Sequence, residues 1–224
     1  TEDIEKIIEA ALRAIPAQCQ YAEMVRDMLA WYRQNPDDWE TTWHKCQKKY
    51  REDPAYQKAS NGGIDCKING AYVLMGLLYG NRDPDQTIII STRCGQDSDC
   101  NPSSAAGVLF TTIGFAKLPA RFNTGLDETK VFSHTAYNFP ALLDVCEKLA
   151  RQALAQQGGR VEKDATGEEV FVIPVVAPKP SKLELSWAPG PIAGSMFTPE
   201  EMARITVGPV PGLEKFAPGW KIKD

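Results

Sequence analysis

The first 157 residues carry apolar side chains three and four positions apart, a spacing that an α-helix gathers onto one face. The opening segment has this spacing from Ile4 to Ile15, and Pro16 ends it. Further helices are predicted over residues 18–33, 39–51, 68–79, from Asp83 onward, 101–116 and 140–157. The spacing therefore predicts a mainly α body, which we place at residues 1–157.

The character of the sequence changes after Gly158 and Gly159, which end the last predicted helix. Apolar and β-branched residues alternate or run together at 169–174 and at 182–187, as in short strands. Prolines separate these pieces. We therefore predict a second region, residues 158–224, that forms a small β-rich or irregular appendage.

The composition argues against several classes of function. The net charge is −4 and no basic block is present, so we expect no nucleic-acid partner. No run of about 18 apolar residues occurs, so we expect no membrane span. The six cysteines have the spacing of free or buried thiols rather than that of a disulfide framework.

Residues 93–103 stand apart from the helical patterns, with the sequence Arg-Cys-Gly-Gln-Asp-Ser-Asp-Cys-Asn-Pro-Ser. Asp97 and Asp99 lie two positions apart on a turn led by Gly95, so their carboxylates can point at one place. Hard cations such as Mg²⁺, Mn²⁺ and Ca²⁺ prefer such oxygen ligands. Asn101 or Ser103 can cap the helix that follows, whose positive end suits an anionic ligand. The alternative is a turn and helix cap without metal.

An ordered set of segments from Asn69 to Pro119 resembles the C-terminal signature of the ADP-ribosylglycohydrolase family. The segments are the helix 69–80, a short helix that begins at Asp83, the run Gly-Gln-Asp-Ser-Asp at 95–99, and a small-residue helix that leads to Leu118-Pro119. The helical patterns within residues 1–52 are also similar to a bacterial branch of that family. The resemblance covers about two-thirds of the chain.

The resemblance implies an all-α bundle with two Mg²⁺ or Mn²⁺ ions in a cleft, where they bind the ribose and activate the water that cleaves the bond at its anomeric carbon. Asp97 and Asp99 match the family's two C-terminal metal-binding aspartates. The next position in well-known members is a Thr whose hydroxyl also binds metal. Here it is Cys100, which the match makes a third candidate metal ligand, although its soft thiol suits a hard cation poorly. The bacterial branch has Cys-Asn at this point, so the departure is compatible with a different substrate.

Several residues beside the signature are candidates for binding substrate on the ribose side of the cleft. They are Asn61, Gly62, Gly63, Asp65, Asn69 and Asn101. The alternative for the residues before the signature is a solvated loop that ends in a helix cap.

The family's remaining metal ligands, a Thr/Ser-Asp-Asp cluster preceded by a Glu, have no counterpart here. Asp37-Asp38 follows Pro36 and is typical of a turn and a helix N-cap. The chain also opens at Thr1 directly in a helical pattern. We therefore expect it to be the C-terminal portion of an enzyme whose N-terminal portion belongs to the same protein or to a separate chain. No general base can be assigned.

The leading hypothesis is a metal-dependent glycoside hydrolase that cleaves an ADP-ribosyl or related ribosyl bond in an ADP-ribosylated or ribosyl-containing substrate. One alternative is a hydrolase for another sugar or nucleoside on the same scaffold. Another is a non-catalytic binding module, in which the acidic loop formed by residues 95–99 only caps a helix. Metal titration separates the module from the enzymes, and substrate screening separates the two enzymes.

Overall fold

The computed structural model of the chain describes residues 1–57 and 64–181. This part is mainly helical with one small sheet, which confirms the predicted fold class. The helices are α1 (Ile4–Leu12), α2 (Gln20–Gln34), α3 (Trp39–Cys46), α4 (Pro54–Gln57), α5 (Cys66–Tyr79), α6 (Pro84–Arg93), α7 (Cys100–Ile113) and α8 (Phe139–Gln156). The strands β1 (Arg160–Lys163) and β2 (Glu169–Val172) pair antiparallel.

Several helices begin where the sequence supplies a capping side chain. Asp38 accepts a hydrogen bond from the Thr41 N–H at 2.9 Å at the start of α3. Asp83 accepts one from the Gln86 N–H at 2.8 Å, and Pro84 follows it as the first residue of α6. Each cap satisfies a backbone donor that the first helical turn leaves free. Local sequence therefore fixes where these helices start.

Helix α5 lies at the centre of the helical core, in contact with α1, α2, α3, α6 and α7. Its Tyr72 and Met75 side chains are almost fully buried, as are Met24 and Met28 of α2 and Leu109 of α7. Complete burial of a large apolar side chain contributes about 1.5–3 kcal/mol. The packing around α5 therefore holds the other helices together.

Helix α5 approaches α6 closely through a glycine. A Cβ atom at Gly76 would lie 2.6 Å from the Thr87 carbonyl oxygen and 2.8 Å from the Ser91 Cβ. Thr87 and Ser91 are both fully buried in this contact. Only glycine allows the two backbones to come this near, so residue 76 sets the position of α6 against α5.

One predicted helix differs from the structure in its second half. The sequence predicts a single helix over residues 39–51, but α3 ends at Cys46 and residues Gln47–Glu52 form a π-helix. Side chains of this segment bond to α2: the Tyr50 hydroxyl donates to Asp27 at 2.7 Å, and the Lys49 ammonium donates to Asp27 at 2.6 Å. A π-helix has a wider turn than an α-helix, and these side chains make their contacts with α2 from that conformation.

The last helix and the hairpin form a small outer part of the described chain. No residue of α8 is buried. The hairpin packs on α8 through Arg151, which pairs with Glu147 at 2.7 Å and with Glu169 of β2 at 2.6 Å. Strand β2 falls in the predicted strand 169–174, whereas residues 182–187 lie outside the described part and the boundary at residue 157 stays a prediction. Within the described ranges, no helix combines the length and apolar character needed to cross a membrane.

The six cysteines are all free thiols, as the sequence predicts. Cys46 and Cys94 are buried, whereas Cys66, Cys100 and Cys146 are exposed.

Replacing Gly76 or Gly107 by Ala should shift stability in opposite directions. Gly76→Ala places its methyl group against the Thr87 carbonyl, so we expect a loss of about 1–3 kcal/mol in the free energy of unfolding. Gly107 is also inside a helix, α7, but a Cβ there meets no atom within 4 Å. Gly107→Ala should therefore gain about 0.5–1 kcal/mol through helix propensity. Urea unfolding of both variants measures the difference, and equal shifts would contradict the close contact at Gly76.

Candidate metal centre

The loop between α6 and α7 turns sharply at two consecutive residues. Gly95 has a φ angle of +92° and Gln96 one of +59°, both in the left-handed region. Such a conformation costs a residue with a side chain roughly 1–2 kcal/mol, whereas glycine adopts it freely. The Ser98 N–H closes the turn by donating to the Gln96 carbonyl oxygen at 3.0 Å. The turn thus precedes Asp97 and Asp99 and directs the chain into α7.

The buried side-chain amide of Asn69 in α5 holds this loop through hydrogen bonds. The Asn69 Oδ1 atom accepts two hydrogen bonds, from the Asp97 N–H at 3.2 Å and from the Asn101 Nδ2 at 2.8 Å. The Asn69 Nδ2 in turn donates to the Asp65 carbonyl oxygen at 3.0 Å. Asn69 and Asn101 are only 8% and 4% exposed. The backbone at Asp97 is therefore held by a side chain whose own orientation is fixed.

A second contact holds the beginning of the loop. The Trp43 Nε1 donates to the Cys94 carbonyl oxygen at 2.9 Å, and the buried Cys94 thiol lies 3.4 Å from the Met75 sulfur. Trp43 is partly buried and packs against the core. Its additional hydrogen bond to the loop has no signal in the sequence, because it depends on where α3 lies relative to α6.

Three potential metal ligands gather on the outer side of the loop. A carboxylate oxygen of Asp97, one of Asp99 and the Sγ of Cys100 lie within 4.8 Å of one another. Asp97 is half-buried, whereas Asp99 and Cys100 are exposed. Among the residues that the structure describes, this is the one group of three or more Asp, Glu, His or Cys side chains with such proximity.

The electrostatics of this group couple the three side chains. The pKa of Asp99 is lowered, first because the Asp97 side chain hydrogen-bonds to it and then because the N–H groups of Asp99 and Cys100 face its carboxylate. The pKa of the Cys100 thiol is raised by its hydrogen bond to Asp97 and by the negative charges of Asp97 and Asp99. The carboxylates therefore make the thiol harder to deprotonate than an isolated cysteine.

Asp99 stands at the N-cap position of α7, yet its side chain makes no capping hydrogen bond. Four other helices begin at an aspartate that does make one, at 2.7 to 3.1 Å from a backbone nitrogen of the first turn: Asp3, Asp38, Asp65 and Asp83. The carboxylate of Asp99 thus lies beside Asp97 and Cys100 without capping α7 through a hydrogen bond. This geometry does not fit the alternative in which Asp99 only caps α7.

The remaining candidates fall into two groups. Asp65 caps α5 through the Lys67 N–H at 2.7 Å and pairs with the Lys67 ammonium at 3.1 Å. Asn69 and Asn101 are bonded to each other behind the loop, so the expectation that Asn101 caps α7 is wrong. Ser103 does not cap α7 either, because its hydroxyl donates to the Cys100 carbonyl oxygen at 2.9 Å. A second group, Asn61, Gly62 and Gly63, lies outside the described residues.

The chemistry of the donors fits a divalent cation in part. Two carboxylates offer the oxygen ligands that hard cations such as Mg²⁺ prefer. The third donor is a sulfur, which favours softer cations. The group can therefore hold a divalent ion, although its third donor differs from the oxygen that a magnesium site would use.

The Asn69–Asn101 pair should reveal itself in a double-mutant cycle. Asn69→Ala leaves two donors without their acceptor, so we expect it to reduce the free energy of unfolding by about 1–3 kcal/mol. Asn101→Ala added to it should cost less than it does alone, with a coupling of about 0.5–3 kcal/mol. Hydrogen exchange at the Asp97 amide should also accelerate in Asn69→Ala. Additive losses together with unchanged exchange would rule out this anchor.

Comparison with known proteins identifies a family for this chain. A family model described as ADP-ribosylglycohydrolase matches residues 1–160, while no curated protein and no solved structure matches the chain significantly. The matched range runs from α1 to the first residue of β1, so it contains the acidic loop, its anchor Asn69 and all of the helices that position them. It covers well over half of the 224 residues. The chain belongs to the ADP-ribosylglycohydrolase family.

Proposed function

We propose that this chain contributes a divalent-metal site to the hydrolysis of an ADP-ribosyl bond, with Asp97 and Asp99 as metal ligands. The observation that carries the proposal is the position of the Asp99 carboxylate, which makes no capping hydrogen bond to α7 and lies beside the Asp97 carboxylate and the Cys100 thiol. The family is in general metal-dependent, and its name implies ADP-ribosylated substrates. The proposal therefore combines the candidate metal ligands of this loop with the substrate class that the family name implies.

The residues around the loop have distinct parts in this proposal. Asp97 and Asp99 bind the cation, and Asn69 fixes the backbone from which Asp97 projects. A bound divalent cation supplies Lewis-acid polarisation and a water of lowered pKa. Precise placement of the two carboxylates matters, because small displacements of positioned groups can cost a large part of a rate enhancement. Asn69 and Asn101 act here by holding the loop, while a substrate-binding role for Asn61, Gly62 and Gly63 stays a prediction.

The site offers three ligands from one short loop. Mg²⁺ requires near-octahedral coordination by six ligands and gives up its water reluctantly. The other positions must therefore be filled by water, by substrate oxygens or by protein groups beyond these three residues. An exposed site of this kind binds Mg²⁺ with little free energy, since water competes for most positions.

The chain of residues 1–224 should bind Mg²⁺ weakly, with a dissociation constant well above the micromolar range. Isothermal titration calorimetry against MgCl₂ measures it, with Asp97→Asn as the matched variant that removes one charged ligand. Micromolar affinity in the chain itself would contradict the ligand count.

Replacing Asp97 or Asp99 by Asn in the full-length, active enzyme should reduce turnover while the fold survives. Each exchange removes a charged ligand at nearly constant size, and we expect the release of ADP-ribose from ADP-ribosylated protein to fall on the order of 100-fold or more. Asp83→Asn is the matched control, because Asp83 is an aspartate that does cap its helix and Asn caps equally well. Its turnover and free energy of unfolding should stay close to those of the unmodified chain.

The control and the two site variants together distinguish a ligand from a cap. If Asp99 served only α7, Asp99→Asn would behave as Asp83→Asn does. An active Asp99→Asn protein with an undiminished metal content would overturn the proposal.

A further inference from the structure

The third donor of the candidate metal centre is a thiol. Cys100 is the first residue of α7, and its Sγ lies within 4.8 Å of a carboxylate oxygen of Asp97 and of Asp99. The side chain is exposed and is not part of the helical core. We propose that Cys100 is a metal ligand that shifts the preference of this site from Mg²⁺ toward thiophilic divalent cations. The inference rests on the metal site proposed above and specifies which cations that site selects.

The backbone of the loop leaves the thiol available to a cation. The Cys100 carbonyl oxygen accepts a hydrogen bond from the Ser103 hydroxyl at 2.9 Å, which holds the first turn of α7 in place. The Asn101 N–H bonds to the Asp97 carbonyl oxygen at 2.9 Å, so the chain between the two aspartates and Cys100 is closed into a compact turn. The three ligand atoms are thereby presented on one side of a fixed backbone rather than brought together by a flexible segment.

The chemistry of binding is a proton exchange. On binding, a sulfur–metal bond forms and the thiol proton passes to solvent, since the thiolate is the form that ligates. Co²⁺, Zn²⁺ and Fe²⁺ gain from this bond, whereas Mg²⁺ gains little because it prefers oxygen. Two carboxylates without the thiol would discriminate less strongly between these cations and Mg²⁺.

The other cysteines do not offer the same arrangement. Cys46 and Cys94 are buried in the core, out of reach of a solvent cation. Cys19 is half-buried and accepts a hydrogen bond from the Ala22 N–H at the start of α2, and among the described side chains it belongs to no such group of ligands. Cys66 and Cys146 are exposed, but neither belongs to a group of three ligand side chains within the described residues. They are therefore suitable internal controls for nonspecific binding of a metal by surface thiols.

The test is a titration of the reduced 224-residue chain with Co²⁺, followed by absorbance. Cobalt–thiolate coordination gives a charge-transfer band in the near ultraviolet that oxygen ligands do not give. We expect the band in the unmodified chain and in Cys66→Ser/Cys146→Ser, but not in Cys100→Ser. The affinity for Co²⁺ should fall about 10- to 100-fold in Cys100→Ser. Loss of a residue that only hydrogen-bonds to a metal ligand already has an effect of this size, so loss of a ligand should have at least as large an effect.

Mg²⁺ provides the second arm of the experiment. Most sites bind Co²⁺ more tightly than Mg²⁺, so the informative quantity is the change in the ratio of the two affinities when residue 100 is exchanged. Cys100→Thr restores an oxygen donor, and it should lower Co²⁺ affinity while Mg²⁺ affinity stays equal or rises. A ratio that Cys100→Ser and Cys100→Thr both leave unchanged, or a band that persists in Cys100→Ser, would overturn the inference.

Asp97→Asn separates this inference from the proposed function. If Asp97→Asn weakens both cations while the Cys100 variants have no effect, the metal site stands and the role of the thiol is wrong. If Asp97→Asn weakens neither cation, the metal site itself is wrong, and the inference fails with it.

Discussion

The contact between α5 and α6 at Gly76 determines where the candidate metal centre lies. Because the two backbones meet without an intervening side chain, the end of α6 has a defined position relative to α5. The acidic loop starts from that end, and α5 also carries Asn69, which holds the loop at Asp97. Both ends of the turn before the aspartates are thus set by the same central helix. A displacement of α5 would move the carboxylates as well as the core.

Local chemistry explains which parts of this molecule the sequence predicts. Asp38 and Asp83 predict the starts of α3 and α6, because a capping side chain accepts a hydrogen bond from a backbone N–H only three residues further along the chain. The spacing of Asp97 and Asp99 likewise predicts that their carboxylates lie close together, because both residues stand on one short turn. The π-helix at Gln47–Glu52 could not be predicted, because its side chains bond to α2 and α5. The sequence does not predict strand β1 for a related reason. Its residues are mostly charged, and only the pairing with β2 makes it a strand.

Polar residues next to a motif are the hardest to interpret from sequence. Asn69 begins the family signature and Asn101 follows the acidic loop, so the sequence suggests contact with substrate for both. In the structure they are buried and share a hydrogen bond 2.8 Å long. A residue that touches a ligand and one that supports the loop beneath it are both polar and both adjacent to the motif. Only the direction of the side chain, which depends on how α5 meets α7, separates the two.

The exposure of Cys100 also bears on how such a site changes over evolutionary time. Proteins tolerate few exchanges in the core because most reduce a small margin of stability. Position 100 draws its place from the backbone of α7, and its side chain contributes no core packing, so Cys, Ser and Thr can replace one another there at little cost to the fold. In the proposed metal site, an exchange at position 100 would change the cation preference without disturbing the helical scaffold. A single codon change would then adapt this loop to a different supply of metals, with no compensating change in the helices beneath it.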